Sequence, residues 1–443
     1  MKTRNSISAF WGLDLSTFSE SQNLGSKGRL VMRGAVIILV AVLFLSVLAF
    51  AQEDTLILLG SNTEMYHSYA VSAYNKNAFV TDADHGLRVI NYSDPYNPYT
   101  VTRYTEWAVD IEIRDSLAYY TGDGALYIRD ISDPLESEII GWCTGEWWDH
   151  VGFKVHLFDT LALVMHTTAF EDCFLKIIDI SDPTNPQVLS TVIAPPYSTI
   201  HWGDAYKKDN YVYWADHAYI DLFTEVDRII VLDITDPSQP VHIVSDTCLR
   251  AKPRAIWIKD NYAYVAEDYG GRGLVVLDIS DPYNIDSVGC FPTPEGRAWN
   301  VYIKGNYAYV CAHLQPALDT DRLYVLDITD PTNPYLIASY DTPYSPKDVF
   351  VDAPYVLVAD YSSLLVFEAS FLKNIPGDVN ADRQVDLGDV LFLVSYLYKQ
   401  GSAPEPIERG DVNGDCVVDL GDVLYLISYL YKGGSVPQSG CAL

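Results

Sequence analysis

Apolar and polar positions alternate through most of this chain. From 55 to 370, short runs rich in Tyr, Val and Ala are paired across turns, and most pairs end on Asp-Pro. The clearest are YAYVAEDYGGRGLVVLDISDPYN (262–284) and YAYVCAHLQPALDTDRLYVLDITDPTNP (307–334), with looser copies at 78–98, 117–134, 161–186 and 211–240. A last pair, YVLVADYSSLLVFEAS (355–370), lacks the Asp-Pro. Short apolar runs bounded by turn residues predict β-strands. The period then changes. Val390, Leu393, Val394 and Leu397 recur at helical spacing, as do Val423, Leu426, Ile427 and Leu430, which predicts two amphipathic helices. At the other end an unbroken apolar run covers 35–50.

The Asp-Pro pair explains why each strand stops. Asp at the first turn position accepts a bond from backbone further on, while Pro presets φ for the next residue and withholds a ladder donor. Repeats of about 40–50 residues built from short strands and turns predict a propeller, not a helical solenoid. Seven strand pairs predict an all-β seven-bladed ring, followed by a small all-α module. The words LVVLDISDP and LYVLDITDP resemble the LVIVD repeat family, whose members are propeller-like.

Ring closure and an axis are also legible. The segment 56–61 (LILLGS) looks like the outer strand that follows Asp-Pro elsewhere, as in YLIASY (335–340), and the final pair has none of its own. The N-terminal strand is therefore expected to complete the last blade and leave no open edge. At a fixed offset before the Tyr-rich strands, Asp110, Lys154, Asp204, Asn300 and Asp348 align, with His201 and Arg297 three residues upstream of theirs. Two readings stand: a polar ring around a channel, or side chains that satisfy turn backbone near the axis. The long inter-strand insertions 167–173, 214–227 and 312–321 should cluster on one rim, where a carbohydrate or protein ligand would be held.

The C-terminal chemistry is written twice. Residues 377–402 read GDVNADRQVDLGDVLFLVSYLYKQGS and residues 410–435 read GDVNGDCVVDLGDVLYLISYLYKGGS. Acidic or amide oxygens fall at positions 1, 3, 5, 9 and 12 of a twelve-residue loop: Asp378, Asn380, Asp382, Asp386 and Asp389, then Asp411, Asn413, Asp415, Asp419 and Asp422. Gln384 and Val417 occupy position 7, which gives a backbone carbonyl. Six to eight oxygens in a small sphere suit Ca²⁺, so the chain is expected to bind two calcium ions. Each loop opens onto one helix, without the incoming helix of a full EF-hand.

This unit resembles a type I dockerin, the calcium-dependent plug that docks into a cohesin module on a scaffold protein. The resemblance implies cohesin contacts at Leu387, Gly388, Val394, Ser395 and Lys399, and at Leu420, Gly421, Ile427, Ser428 and Lys432, on two equivalent faces. Many dockerins carry small hydroxyl residues where this chain has Leu-Gly, which leaves the cohesin class open. Position 6, usually Gly, is Arg383 in one copy and Cys416 in the other, and position 4 of the first copy is Ala381. A non-Gly residue at positive φ costs about 1–2 kcal/mol, so the first loop is expected to be the weaker site. Calcium should couple to folding, because the loops' like charges repel until the cation arrives.

A net charge of −30 excludes nucleic acid and anionic membranes as charge-driven partners. Lys27, Arg29 and Arg33 precede the 35–50 run, which ends Ala49-Phe50-Ala51, so residues 1–51 read as a secretory signal with Met32 as an alternative start. An uncleaved anchor is the competing reading. The expected parts are a leader (1–51), a propeller (52–372) and a dockerin (373–443), with the mature chain outside the cytoplasm and no stable membrane insertion after cleavage. Seven scattered cysteines lack C-x-x-C spacing, and Cys416 and Cys441 are candidates for a bridge tying the C-terminus onto the second loop. The cluster Glu146-Trp147-Trp148-Asp149-His150 offers sugar stacking and an acid–base pair, or simply packing. No catalytic residue is assigned, and no H-E-x-x-H, G-x-S-x-G or P-loop is present. The leading expectation is a secreted, non-catalytic binding or structural propeller tethered to a cohesin-bearing scaffold or cell surface. The alternative is a dockerin-borne enzyme or lectin-like subunit acting on polysaccharide.

Overall fold

The computed structural model describes residues 55–441 apart from 145–149, 169–172, 194–202, 220–223, 269, 294–296, 314–320, 373–374, 382–384 and 439. The expected leader, Glu146 to Asp149, His201, Asp382 and Gln384 lie outside the described residues. The described residues form 28 strands, from β1 (Leu56–Asn62) to β28 (Ser363–Ala369), arranged as seven four-stranded sheets. Every pairing is antiparallel. Six sheets are consecutive in the chain; the seventh takes β1 as its outer strand, beside β28. The expected closure is present. Thr55 N donates to Ser370 Oγ at 2.9 Å, and Ser370 N returns a bond to the Thr55 carbonyl at 3.0 Å.

The second strand of each blade is covered on both faces, so its sequence runs small-large instead of apolar-polar. Ala263 and Tyr264, like Ala308 and Tyr309, are buried. Alanine lets one neighbouring blade approach while the tyrosine ring fills the gap on the other side, and the apolar clusters accordingly lie between blades.

The Asp-Pro turn is two linked turns. The strand-ending Asp130 accepts Ser132 N at 2.9 Å, and Asp133 of the Asp-Pro pair then accepts Leu135 N at 2.9 Å. The same tandem recurs at Asp179 and Asp182, Asp233 and Asp236, and Asp327 and Asp330. These donors hold the carboxyls of Asp130 and Asp179 below the usual range.

Outer strands carry a second device. A Cβ on Gly60, Gly141 or Gly289 would lie 2.5, 2.0 or 2.5 Å from the carbonyl oxygen of Pro95, Pro183 or Pro331 in the adjoining blade's Asp-Pro turn. Only glycine admits that approach. One expected insertion is corrected: much of 214–227 is strand, because Tyr211–Tyr219 and Glu225–Asp233 stay paired out to Tyr219 and Glu225.

After Ala369 the chain makes a short 3₁₀ turn (Ser370–Leu372) whose Phe371 packs on the last blades. Helices α1 (Leu387–Lys399) and α2 (Leu420–Lys432) follow, sharing a core of Val379, Val390, Leu393, Val412, Val423 and Leu426. They end at Gln400 and Gly433, both in the left-handed region, whose N–H groups return to the Ser395 and Ser428 carbonyls. No helix among the described residues is long and apolar enough to cross a membrane.

Candidate metal centre, docking faces and axial ring

Asp110, Lys154, Asp204, Asn300 and Asp348 line one axial cavity of about 290 Å³. Both sequence readings meet there, with one change: the bonded backbone belongs to the next blade's inner strand, not to a turn. Asp110 Oδ2 accepts Val155 N at 2.8 Å, Asp204 Oδ2 accepts Ile256 N at 3.1 Å, and Asp348 Oδ2 accepts Val71 N at 2.8 Å. Asn300 Nδ2 donates to Asp348 Oδ1 at 2.8 Å. Burial opposes the charge of Lys154, but Asp110, Asp204 and Asp348 outweigh it and hold the ammonium above its usual range. Below this ring His156 Nε2 lies 3.0 Å from Asp204 Oδ1, and Nδ1 lies 3.8 Å from Glu112 Oε2. Burial pushes the Glu112 carboxyl up to about 7 and that of Asp348 up to about 6.

In the second C-terminal loop the backbone coils around Asp411. Its Oδ1 accepts Gly414 N (2.8 Å) and Asp415 N (3.1 Å), and its Oδ2 accepts Cys416 N (3.0 Å) and Cys441 N (2.8 Å). Gly414 (φ 76°) and Cys416 (φ 68°) supply the positive-φ turns that aim these donors. Asp422 closes the loop from the other end, with Oδ1 accepting Val412 N and Asn413 N, and Oδ2 accepting Asp419 N. Asp419 in turn accepts Gly421 N, so positions 9 and 12 also form the capping box of α2. Asn413 Oδ1 accepts Asp415 N, and Asp415 Oδ1 accepts the N–H of Val417, whose side chain is exposed.

The chemistry of this loop fits a hard cation. Asp411 and Asp422 are both fully buried. Burial pushes the Asp422 carboxyl up, and the neighbouring Asp411 charge adds to that. Burial also opposes ionisation of Asp411, but its four amide donors hold the carboxyl below the usual range. Two buried like charges are costly without a counter-charge, and an all-oxygen side-chain set suits Ca²⁺. Cys416 and Cys441 lie close to Asp411 but are joined to each other as a disulfide, so they offer no thiolate. The expected bridge is present.

The first loop repeats the skeleton. Asp389 Oδ1 accepts Val379 N and Asn380 N, its Oδ2 accepts Asp386 N, and Asp386 accepts Gly388 N as the N-cap of α1. Asp378 and Asp389 are buried, and Ala381 takes φ 62° where the second copy has Gly414. Arg409, which the sequence reading passed over, donates to Asp378.

The residues expected to meet a cohesin divide by environment. Leu387-Gly388 and Leu420-Gly421 are not loop residues alone, since they begin the helices, and Leu387 and Leu420 are exposed. Lys399 and Lys432 are exposed in the last turns, Ser395 and Ser428 are half-buried, and Val394 and Ile427 partly join the core. Two pairs escaped the sequence reading: Leu391 and Tyr398 are 59% and 61% exposed, and Leu424 and Tyr431 are 58% and 62% exposed. Their spacing extends Leu387 and Leu420 into an apolar stripe along each helix. A count of apolar positions beyond those needed for the core would have revealed them.

A closed seven-bladed ring followed by a duplicated loop–helix unit defines a propeller protein with a calcium-type docking module. Family comparison gives both parts. The Dockerin type I domain profile matches residues 376–431, and the LVIVD repeat profile matches 67–106, 168–193, 252–293 and 295–342. The chain carries LVIVD repeats and a C-terminal dockerin type I domain. No curated protein matches it. Among solved structures it is similar to the WD40 beta propeller domain of Doa1 (TM-score 0.53, 12% identity, 71% of this chain and 97% of that one). It is also similar to the beta-propeller domain of Myceliophteria thermophila Cps50 (Swd1) (TM-score 0.51, 8% identity, 71% and 99%). At such identities the likeness concerns the fold alone. A dockerin implies tethering through a cohesin partner, and type I dockerins bind calcium.

Proposed function

We propose that this is a secreted, non-catalytic binding or structural propeller, attached through its calcium-loaded dockerin to a cohesin-bearing scaffold or cell surface. The observation that carries the reading is the duplicated oxygen-rich loop, each copy opening onto a helix with an exposed apolar stripe. In each loop the residues at positions 1, 3, 5, 9 and 12 and the carbonyl at position 7 would hold one ion, making two. Calcium supplies the counter-charge that lets buried carboxylates face one another. Asp389 and Asp422 then do two jobs, as position 12 of the loop and as the capping partner of the helix start, so ion binding and helix order are coupled. The docking surfaces are Leu387, Gly388, Val394, Ser395 and Lys399 on one helix, and Leu420, Gly421, Ile427, Ser428 and Lys432 on the other. The leader at 1–51 supports export, and the rim loops of the propeller are the place for a carbohydrate or protein ligand.

The test is capture of the full-length protein by immobilised cohesins of both main types. Binding in CaCl₂ that is lost in EGTA is the expected result. Binding indifferent to EGTA, or none to any cohesin, would overturn the tethering role. Incubation with a panel of polysaccharides addresses the ring: product release would end the non-catalytic reading, and retention without turnover would identify a carbohydrate ligand.

A further inference from the structure

The two loops share a skeleton but differ at position 1. Among the described residues Asp411 is bonded by backbone amides. Asp378 differs in receiving a side-chain cation in addition to its other contacts: Arg409 Nη1 donates to its carbonyl at 3.2 Å and to its Oδ2 at 3.3 Å. Arg409 belongs to the short 3₁₀ turn Ile407–Gly410 that leads into the second loop, so its guanidinium crosses from one copy to the other. The arginine side chain is 9% exposed and the carboxylate 2%. A guanidinium does not shed its proton, and a buried one without a counter-charge is strongly disfavoured. Sequence alone makes the asymmetry plain, because the residue in register with Arg409 before the first loop is Pro376, which cannot reciprocate.

We infer that Arg409 is a built-in counter-ion of the first loop, so that the dockerin loads calcium in two unequal steps, the second loop first. This rests on the reading of both loops as calcium sites. A calcium ion on Asp378 shares that carboxylate with a fixed positive charge in poorly screened surroundings, where like charges repel strongly. The second loop carries no such cation at Asp411 among the described residues, and its closing segment is tied down by the Cys416–Cys441 bridge. Over a window of calcium concentration the module therefore holds one ion.

The experiment is calorimetric titration of the chelator-stripped full chain with CaCl₂. Two phases are expected, with Asp411→Asn removing the tighter and Asp378→Asn the weaker. Arg409→Gln should tighten the weaker phase by on the order of tenfold, while Arg409→Lys, which keeps the charge, leaves it weak. Equal sites in the wild type would overturn the inference, as would no tightening in Arg409→Gln or a gain confined to Arg383→Gly. A chain that takes up no calcium, before or after these changes, would instead overturn the calcium reading itself. Should Arg409→Gln fail to fold, the assignment of phases by the two Asp→Asn variants still decides whether the second loop fills first.

Discussion

The amide of Cys441 donates to Asp411 Oδ2 at 2.8 Å, beside that of Cys416 at 3.0 Å, and a disulfide joins the same two residues. The tail of the chain is thereby part of the second loop. A hydrogen bond to a charged group contributes about 1.5–3 kcal/mol. Cys441→Ser should accordingly weaken calcium at the second loop by about tenfold or more, since each 1.4 kcal/mol is a factor of ten. Wild-type protein in reductant should approach the variant's affinity. Titration of both forms checks this, and unchanged affinity would show that the tail is only a tether.

Gly60 on β1 tests the closure of the ring. A Cβ there would lie 2.5 Å from the Pro95 carbonyl oxygen and 2.8 Å from that of Tyr96. All of these close atoms are backbone of one turn, with no flexible side chain to yield, so Gly60→Ala should destabilise by about 1–3 kcal/mol. The exposed neighbour Ser61 provides the control, with Ser61→Ala near neutral. Thermal unfolding followed by circular dichroism reads both.

How much of this was legible from residues alone depends on whether a feature is local. The strand pairs, the closing strand at 56–61 and the axial register of Asp110, Lys154, Asp204, Asn300 and Asp348 are set by offsets along the chain, and the structure has them. What those side chains bond was not legible, because the partner is the next blade's inner strand, about one repeat away for Asp110 and Asp204 and across the ring closure for Asp348. The same holds for Gly60, Gly141 and Gly289, whose need for glycine comes from a neighbouring blade's turn. Within the dockerin, loop spacing gave the oxygen set. Arg409 was missed because its partner lies in the other copy, and Leu391 and Tyr398 because an apolar residue on an amphipathic helix reads first as core.

Tyr309 is fully buried between blades, and its hydroxyl finds no hydrogen-bond partner among the described residues. Removing an unsatisfied hydroxyl from a buried ring costs little or helps, whereas removing the ring leaves a cavity. Tyr309→Phe should match or exceed the wild type in stability. Tyr309→Ala should lose about 3–5 kcal/mol. Denaturant midpoints separate the two, and a large loss in the Phe variant would reveal a partner for the hydroxyl.

Two of the axial carboxyls, Glu112 and Asp348, make stability fall as pH rises. Burial raises Glu112 to about 7 in the folded protein from an ordinary carboxylate value near 4.5. The native state therefore holds a proton that the unfolded chain has released. That contribution is fully present below the ordinary value and is lost as pH rises through about 7. Asp348, raised to about 6, acts in the same direction over a lower window. Glu112→Gln carries no ionisable proton and should flatten the decline between about pH 4.5 and 7, the interval from its unfolded to its folded value, with the variant gaining on the wild type at the upper end. Melting temperatures across that range give the answer. An unchanged slope would mean that Glu112 is ionised in the folded ring.

Leu391 and Leu424 stand at the same place on the two helices, 59% and 58% exposed, each between an exposed leucine and an exposed tyrosine. If either helix can present its stripe to a cohesin, one damaged face leaves the other intact. Leu391→Glu alone and Leu424→Glu alone should each retain binding within a few-fold of the wild type, because hot-spot loss on one face is bypassed by the other. The double variant removes the apolar anchor from both faces. Truncated anchors of this kind cost about 2 kcal/mol or more, and a buried unpaired carboxylate adds to that, so binding should fall at least thirtyfold. Surface plasmon resonance on a captured cohesin reads all three, with helicity in CaCl₂ confirming that each variant is folded. A single variant as weak as the double would show that only one helix docks. In that case the near-identity of the two copies serves the calcium loops and their shared core, not a choice of orientations.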